Sequence, residues 1–510
     1  MEKQPKKKSF REKLTKKLKQ KIYKWHKILA FITIIPVLFW CLSGLMHPFM
    51  AHFFKPEIAR DILEAKSIDP SGIKISLKEA LLQNNIQEIK NFRFVSFEGH
   101  QYYQVKTIED NLVYLNTIDG KLLKNGDGLY AACLARYFLD DAKTPIANQQ
   151  FITEFNNQYK YVNRYLPVHK ISFDRPDQMQ VYVETATGKL ATFNPKSRQW
   201  FIWFFDTFHN WSFIDAIGNN AVRICLMVFL LVIIGFSALS GILIYGLFWK
   251  QFKKAKTSDA SSKRRKYHRQ AGLMLALFTL TFAFSGAYHA TKKWNPIPVE
   301  KMVYEPVFKV QDLDASGMKG FLALKHFKNM TLIQFKDSLF YRCQFAGEEQ
   351  DEVRYFNSVS QKENKTADTE YAQFLASYFN GKISGKDKNC CEMDGVAETV
   401  SNKKEHIKET ASITDFKNHD YGFVNKRLPV VKVAFESENN KTAFVETGTS
   451  HLAAFITDSD RAEGYSFAFF HKFLFMEWAG KDIRDLTMVL AALGVLTVGI
   501  LGLSLLLKRR

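Results

Sequence analysis

The chain has 510 residues, a net charge of +20 and 46% hydrophobic residues, so it exceeds one small domain, while its average composition alone does not mark a membrane protein. The charge is confined to three segments: residues 1–24 hold eleven Lys and Arg against Glu2 and Glu12, residues 250–269 hold nine against Asp259, and Lys508, Arg509 and Arg510 close the chain. The surplus in those segments equals the whole net charge, which argues against nucleic acid as a partner and for cytoplasmic segments flanking membrane spans.

From Ser9 to Trp25 the apolar residues Phe10, Leu14, Leu18 and Ile22 recur every fourth position among lysines. That stripe predicts an interfacial helix on the cytoplasmic leaflet, or a solvated basic helix that sets topology, leading into the first span. Apolar runs follow at Ile28–Met46, Ala221–Phe248, Ala271–Ala290 and Leu486–Leu507, each long enough to cross a bilayer. The first is span-length, follows a long basic segment and lacks a small-residue exit, so a cleaved signal peptide is not expected. The positive-inside rule then places both termini and the 250–269 loop in the cytoplasm, and the two long polar segments outside it. The expected division is a basic helix at 1–24, spans at 25–48, 209–249, 267–290 and 471–507, outer domains at 49–208 and 291–470, a basic loop at 250–266 and a tail at 508–510. The second and fourth of those spans each include an entering turn.

Between the first two spans, residues 75–123 carry a short helical pattern and then alternating strands, the last closed by the Asp119-Gly120 turn. This predicts an α+β unit with an antiparallel sheet, followed by a helix over Gly128–Leu139. Beyond it the chain begins to repeat. ITEFNNQYKYVNRYLPVHKISF at 152–173 returns as ITDFKNHDYGFVNKRLPVVKVAF at 413–435, and VYVETATGKLATF at 181–193 returns as AFVETGTSHLAAF at 443–455. From Val162 to His209 the offset holds at 262 residues, which identifies a duplication.

The spans repeat as well. Residues 23–47 and 265–289 both open on an aromatic-His pair, carry Ser-Gly near the end of an apolar run and place a second His 21 residues after the first. The repeat unit is therefore span, outer domain, span, used twice in one orientation, which requires a pseudo-twofold along the membrane normal.

Six of the thirteen histidines fall at equivalent places: His26 with His268, His47 with His289, and His209 with His471. A 21-residue helical step rises about 31 Å and leaves the two imidazoles only about 60° apart in azimuth, so each repeated span carries one histidine near each leaflet. A twofold axis brings equivalent histidines face to face, and each pair then offers two axial imidazoles to one ligand between the helices. That is the donor set of a b-type haem, since no Cys-x-x-Cys-His occurs for covalent attachment. Two haems are expected, one on His26 and His268 and one near the opposite leaflet on either His209 with His471 or His47 with His289. The alternative is that histidines and aromatics merely anchor helix ends. Matched ionisable groups on duplicated spans favour a functional role.

Other chemistry is not signalled. There is no His-Glu-x-x-His, Gly-x-Gly-x-x-Gly, Walker loop or Gly-x-Ser-x-Gly, so any electron donor is expected to be another protein or a membrane quinol. Gly44, Gly235, Gly241 and Gly286 would admit close approach of a macrocycle, or serve ordinary helix packing. Cys41 and Cys225 lie within spans, Cys133 falls outside them, and a disulfide between Cys343 and either Cys390 or Cys391 is permitted outside the cytoplasm. For substrate contact the lead is Tyr159-Lys160-Tyr161 with Arg164-Tyr165, set against a reading as ordinary strand and surface residues.

These residues carry a family likeness. The chain resembles the PepSY-associated transmembrane family in the aromatic-His start at Trp25-His26, the Ser43-Gly44 pair, the PepSY-like stretch 75–123 ending in TIDGKLL, the LPV motif at 166–168 and 428–430, the VET-TG strand at 183–188, and His209 before the second span. The resemblance implies a membrane protein of α+β class, with four transmembrane helices in two parallel repeats and an extracytoplasmic PepSY-like domain in each. The family includes iron-regulated membrane proteins and haem-containing reductases of ferric siderophores. It thus implies haem b on His26, His268, His209 and His471, and electron transfer across the cytoplasmic membrane from a quinol or cytoplasmic reductase to a ferric siderophore or chelate in the periplasm. A second expectation from the same family is a non-enzymatic membrane-anchored regulator that binds a peptidase or other partner.

Overall fold

In the computed structural model, residues 10–64, 67–254, 259–294, 296–313, 320–322, 324–347, 351–388 and 405–507 are described. Four helices dominate one part of the chain: Phe10–Phe53, Asn220–Leu247, Ala260–Lys292 and Lys481–Leu507. Each is long and apolar enough to cross a membrane, and a helix satisfies its own backbone groups where no water can. Large apolar side chains such as Phe31, Phe236, Met274 and Leu277 point outward from them, as lipid-facing positions do. The first span packs against the second and fourth, and the third also packs against the second and fourth, so the first and third lie diagonally across the bundle.

Local signals explain where these helices begin. Asn219 caps the second span by accepting from the Val222 amide at 3.0 Å. Asp259 caps the third through the Ser261 and Ser262 amides while Ser262 reaches back to the cap. The first span continues unbroken from Phe10, so the basic stripe and the span form one helix rather than an interfacial helix with a separate span. The basic loop is likewise short: a helix covers Trp249–Lys254 and the third-span helix already starts at Ala260.

The remaining chain forms four antiparallel arrays. Strands Glu88–Phe97, His100–Thr107 and Leu112–Asn116 form one meander, with Phe308–Lys309 added at its Glu88 edge, and strands Ile146–Ile152, Val168–Phe173, Gln180–Glu184 and Lys189–Asn194 form another. Helix Gly126–Leu139 lies between them in sequence. The second copy repeats this plan. Its meander Phe327–Phe335, Ser338–Phe345 and Glu352–Asn357 precedes helix Ala367–Lys388 and the sheet Ile407–Ile413, Val430–Phe435, Thr442–Glu446 and His451–Ile456. The first meander and its counterpart share little sequence yet the same form, because alternating burial and a two-residue turn are enough to specify a hairpin. Both turns take positive φ at both positions, Glu98-Gly99 at 52° and 77° and Lys336-Asp337 at 50° and 57°. The meanders also join reciprocally. Asn91 Oδ1 accepts from the Leu332 amide and Asn329 Oδ1 accepts from the Phe94 amide, both at 2.9 Å, over a shared core of Phe92, Phe94, Tyr103, Met330, Leu332 and Tyr341.

Two compact units result, a helical unit of residues 1–55, 198–296 and 459–510 and a sheet unit of residues 56–197 and 297–458. Residues 198–208 and 459–470, grouped with the outer domains on sequence, thus pack with the spans. Cys343 is buried in the sheet core, and its suggested partners Cys390 and Cys391 lie outside the described residues.

Candidate functional site: paired histidines in the helical unit

At one end of the helical unit, His26 on the first span and His268 on the third bring their rings to a centroid distance of 6.4 Å, with planes at 51°. Nδ1 of His26 lies 3.1 Å from the Ser237 carbonyl oxygen and 2.8 Å from Ser240 Oγ, and Nδ1 of His268 lies 3.2 Å from the Val498 carbonyl oxygen. A carbonyl can only accept, so each Nδ1 carries the proton and each Nε2 keeps its lone pair. Ser237 and Val498 occupy equivalent places on the second and fourth spans, 261 residues apart, so one device sets both tautomers. Gly241 and Gly502, also equivalent, admit the rings: a Cβ there would stand 3.4 Å from His26 Cε1 and 3.2 Å from His268 Cε1. Two imidazoles that bind one metal through bonds of about 2 Å have centroids roughly 6 Å apart. The pair fits the axial donor set of a haem iron, with the nitrogen lone pairs that ligation requires.

The other end repeats the tautomer device with different atoms. His209 Nδ1 lies 3.0 Å from Ser43 Oγ, and His471 Nδ1 lies 3.2 Å from Ser285 Oγ. Both hydroxyls already donate one turn back, Ser43 to the Phe39 carbonyl at 2.6 Å and Ser285 to the Thr281 carbonyl at 2.7 Å. Each Oγ is left to accept, so Nδ1 again holds the proton and Nε2 the lone pair. This is the use of the repeated Ser-Gly pair. His209 follows helix Lys196–Phe208 and stacks on Phe205 at 4.4 Å, while His471 closes the π-turn Phe467–His471 and stacks on Phe467 at 4.7 Å. Two residues on, Trp211 and Phe473 turn the chain through left-handed φ values of 55° and 51°. They stack on Trp40 at 5.1 Å and Phe282 at 5.6 Å, which are themselves equivalent residues.

His47 and His289 share this region, since electrostatic interaction links His209 with His471, His47 and His289. Their surroundings differ. His289 donates from Nδ1 to Glu463 Oε1 at 2.7 Å and stacks on Phe467 at 4.3 Å. His47 is exposed and meets Phe205 and Phe201 at 6.1 and 6.4 Å, with Phe201 standing where the second copy has Glu463. The common device therefore belongs to His209 and His471. Gly44 and Gly235 face open space, whereas Gly286 packs against Leu231. Among the described residues no three His, Cys, Asp or Glu side chains converge as a bare metal ion would need.

The sequence profile of the PepSY-associated TM region matches residues 100–509, most of the chain. The chain belongs to the PepSY-associated TM family. No curated protein matches the sequence.

In the sheet unit of this PepSY-associated protein the two copies meet in a buried ion cluster that sequence inspection missed. Arg427 is only 2% exposed and donates to Glu446 Oε2 at 2.8 Å and to Glu184 Oε1 at 3.1 Å. Lys189 Nζ reaches Glu446 Oε1 at 2.5 Å, and the Thr187 and Thr449 hydroxyls donate to Glu184 and Glu446. Burial would push the Glu446 carboxyl up, but Lys189 and Arg427 outweigh it and hold the group well below the ordinary carboxylate range. Burial, with Arg427 nearby, lowers His451 to about 3 and keeps it neutral. The available signal was the repeated Val-Glu-Thr, which puts a glutamate inside a buried strand. The proposed substrate lead is part of this packing. Tyr159 and Tyr165 are buried, and their hydroxyls donate to the Tyr165 carbonyl at 2.7 Å and the Lys426 carbonyl at 3.0 Å. Tyr161 and Arg164, both half-buried, bond to each other at 2.6 Å.

Proposed function

We propose that the helical unit binds two b-type haems, one through His26 and His268 and one through His209 and His471, and passes electrons across the membrane to a ferric siderophore or other ferric chelate. The observation that carries this reading is the shared tautomer device: all four imidazoles have Nδ1 committed to an acceptor and, among the described residues, Nε2 left without a hydrogen-bond partner. Bound haem supplies one-electron transfer, with potentials set by bis-imidazole ligation and the low dielectric of the spans. The protein's own groups do the positioning. Ser237, Val498, Ser43 and Ser285 fix ring orientation, Gly241 and Gly502 admit the first pair, and the Phe205 and Phe467 rings brace the second.

The proposed setting is the cytoplasmic membrane, with both termini and the basic loop on the cytoplasmic side and the sheet unit in the periplasm, as the confinement of the net positive surplus to three segments supports. The donor would be a quinol or a cytoplasmic reductase. The test is a reduced-minus-oxidised absorption spectrum of the detergent-purified protein with haem quantified per chain. A b-type α band with about two haems per chain is expected. Absence of haem, after expression with haem supplied, would overturn the proposal and leave a membrane-anchored PepSY regulator of a peptidase or other partner.

A further inference from the structure

The second histidine pair is nearly symmetric in its ligands, but the cations around it are not. Lys293 lies within electrostatic reach of His209 and His471, and Lys472 of His47 and His471. Geometry places Lys472 independently, with its ammonium 5.4 Å from the centre of the Phe467 ring that stacks on both His471 and His289. Both lysine side chains are exposed, and neither forms an ion pair among the described residues. The carboxylates nearest in charge to Lys293 are Glu463 and Asp206. Glu463 is taken by His289, and Asp206 accepts from Asn210 at 3.3 Å. The equivalent positions in the first copy hold Ala51 and Asn210. Among the described residues, both lysines that act on this pair therefore come from one copy.

Two imidazoles related by a twofold cannot choose the in-plane orientation of a planar ligand. Two ammonium groups supplied by one copy break that symmetry, provided that the ligand carries its anions along one edge. Building on the haem reading, we infer that Lys293 and Lys472 form a carboxylate-binding pair beside His209 and His471. The carboxylates are the two propionates of a porphyrin, or those of a carboxylate ferric chelate approaching the same pair. Each lysine contributes a charge-assisted hydrogen bond, and Lys472 keeps its stem against Phe467. Lys292 next door is excluded from this role, because it is held by Asp460 at 2.9 Å and Ser459 at 2.7 Å.

The test titrates haem-free full-length protein with haem and with its dimethyl ester, in which both carboxylates are masked. For the wild type the free acid should bind the His209/His471 site tighter than the ester by about tenfold or more. K293Q/K472Q should bring that ratio close to one, K293R/K472R should restore it, and the His26/His268 site should keep wild-type behaviour in every variant as an internal control of folding. An unchanged ratio with weakened binding of ferric citrate would keep the pair and assign its carboxylates to the chelate. Unchanged ratio and unchanged ferric citrate binding would overturn the inference and leave two lysines that only meet lipid headgroups. No haem on the wild type would instead sink the haem reading beneath it.

Discussion

The helical unit and the sheet unit treat the same duplication in opposite ways. Across the axis of the helical unit the chemistry is kept: His26 matches His268, His209 matches His471, Ser43 matches Ser285 and Gly241 matches Gly502. At the seam of the sheet unit it is broken, with Arg427 opposite Tyr165 and His451 opposite Lys189 around the retained Glu184 and Glu446. The difference is electrostatic. Neutral imidazoles can face each other and share one ligand, so symmetry is useful. Two buried carboxylates that face each other repel, and Arg427 between them together with Lys189 on Glu446 balances their two charges. A second arginine in place of Tyr165 would be a buried excess charge. Duplicated function is thus read where the copies agree, and the assembly of the two copies is read where they differ.

The comparison can be tested from its strongest consequence downward. On the symmetric side, His26→Ala or His268→Ala should each remove one whole haem, taking the content from about two to about one per chain, because a single axial imidazole cannot hold that site. Pyridine haemochrome assay of the purified variants measures this; full retention in both would break the paired ligation, and loss in only one would break the equivalence of the copies. On the asymmetric side, Arg427→Met leaves Glu184 without its cation and Glu446 with Lys189 alone, and should destabilise the protein by about 3–5 kcal/mol, much of it recovered in the double variant with Glu184→Gln. Thermal unfolding followed in detergent distinguishes the two outcomes. Ser43→Ala and Ser285→Ala should weaken haem binding by about 10–100-fold while leaving the His26 pair untouched, since each removes the acceptor that orients one imidazole. Tyr165→Phe, which loses only a hydroxyl bonded to the Lys426 carbonyl, should cost about 1 kcal/mol.

Acid should act on the seam through two groups of the same sign. Glu446 is depressed in the folded protein, so its contribution is present above its unfolded value and lost as pH falls. His451 is held neutral to about 3 against an ordinary 6.5, so below pH 6.5 the unfolded chain binds a proton that the folded chain refuses, and stability again falls with pH. Because His451 is partly exposed, its share is the smaller. His451→Gln should flatten the dependence of Tm on pH between 6.5 and about 3, and an unaltered slope would assign the acid sensitivity to the carboxylates.

Much of this architecture was legible because it depends on periodicity and composition. Span-length apolar runs, confined basic segments and a long register of repeats need no partner to be recognised, and they led to the four helices and the duplicated α+β domains. The first meander of the second domain was not legible, because its hairpin turn is Lys336-Asp337 rather than a glycine pair and its strands match the first copy only in which positions are buried. That the basic stripe and the first span share one helix, Phe10–Phe53, was not legible for a related reason. Nothing in an amphipathic basic stripe distinguishes a helix that ends at the membrane surface from one that runs into it.

The sequence by itself determined which residues are equivalent, hence which histidines form pairs and how far apart along the helices they stand. Tertiary structure alone decided what those equivalences mean. The proton on each Nδ1 follows from carbonyl and hydroxyl groups on other helices, hundreds of residues away, such as Ser237 for His26 and Val498 for His268. The same holds for Arg427, whose neutralising contacts with Glu184 and Glu446 cross from one copy to the other. Spacing within a helix is a local property of the backbone, whereas hydrogen-bond roles and buried charge balance are fixed by whichever groups packing brings within about 3 Å.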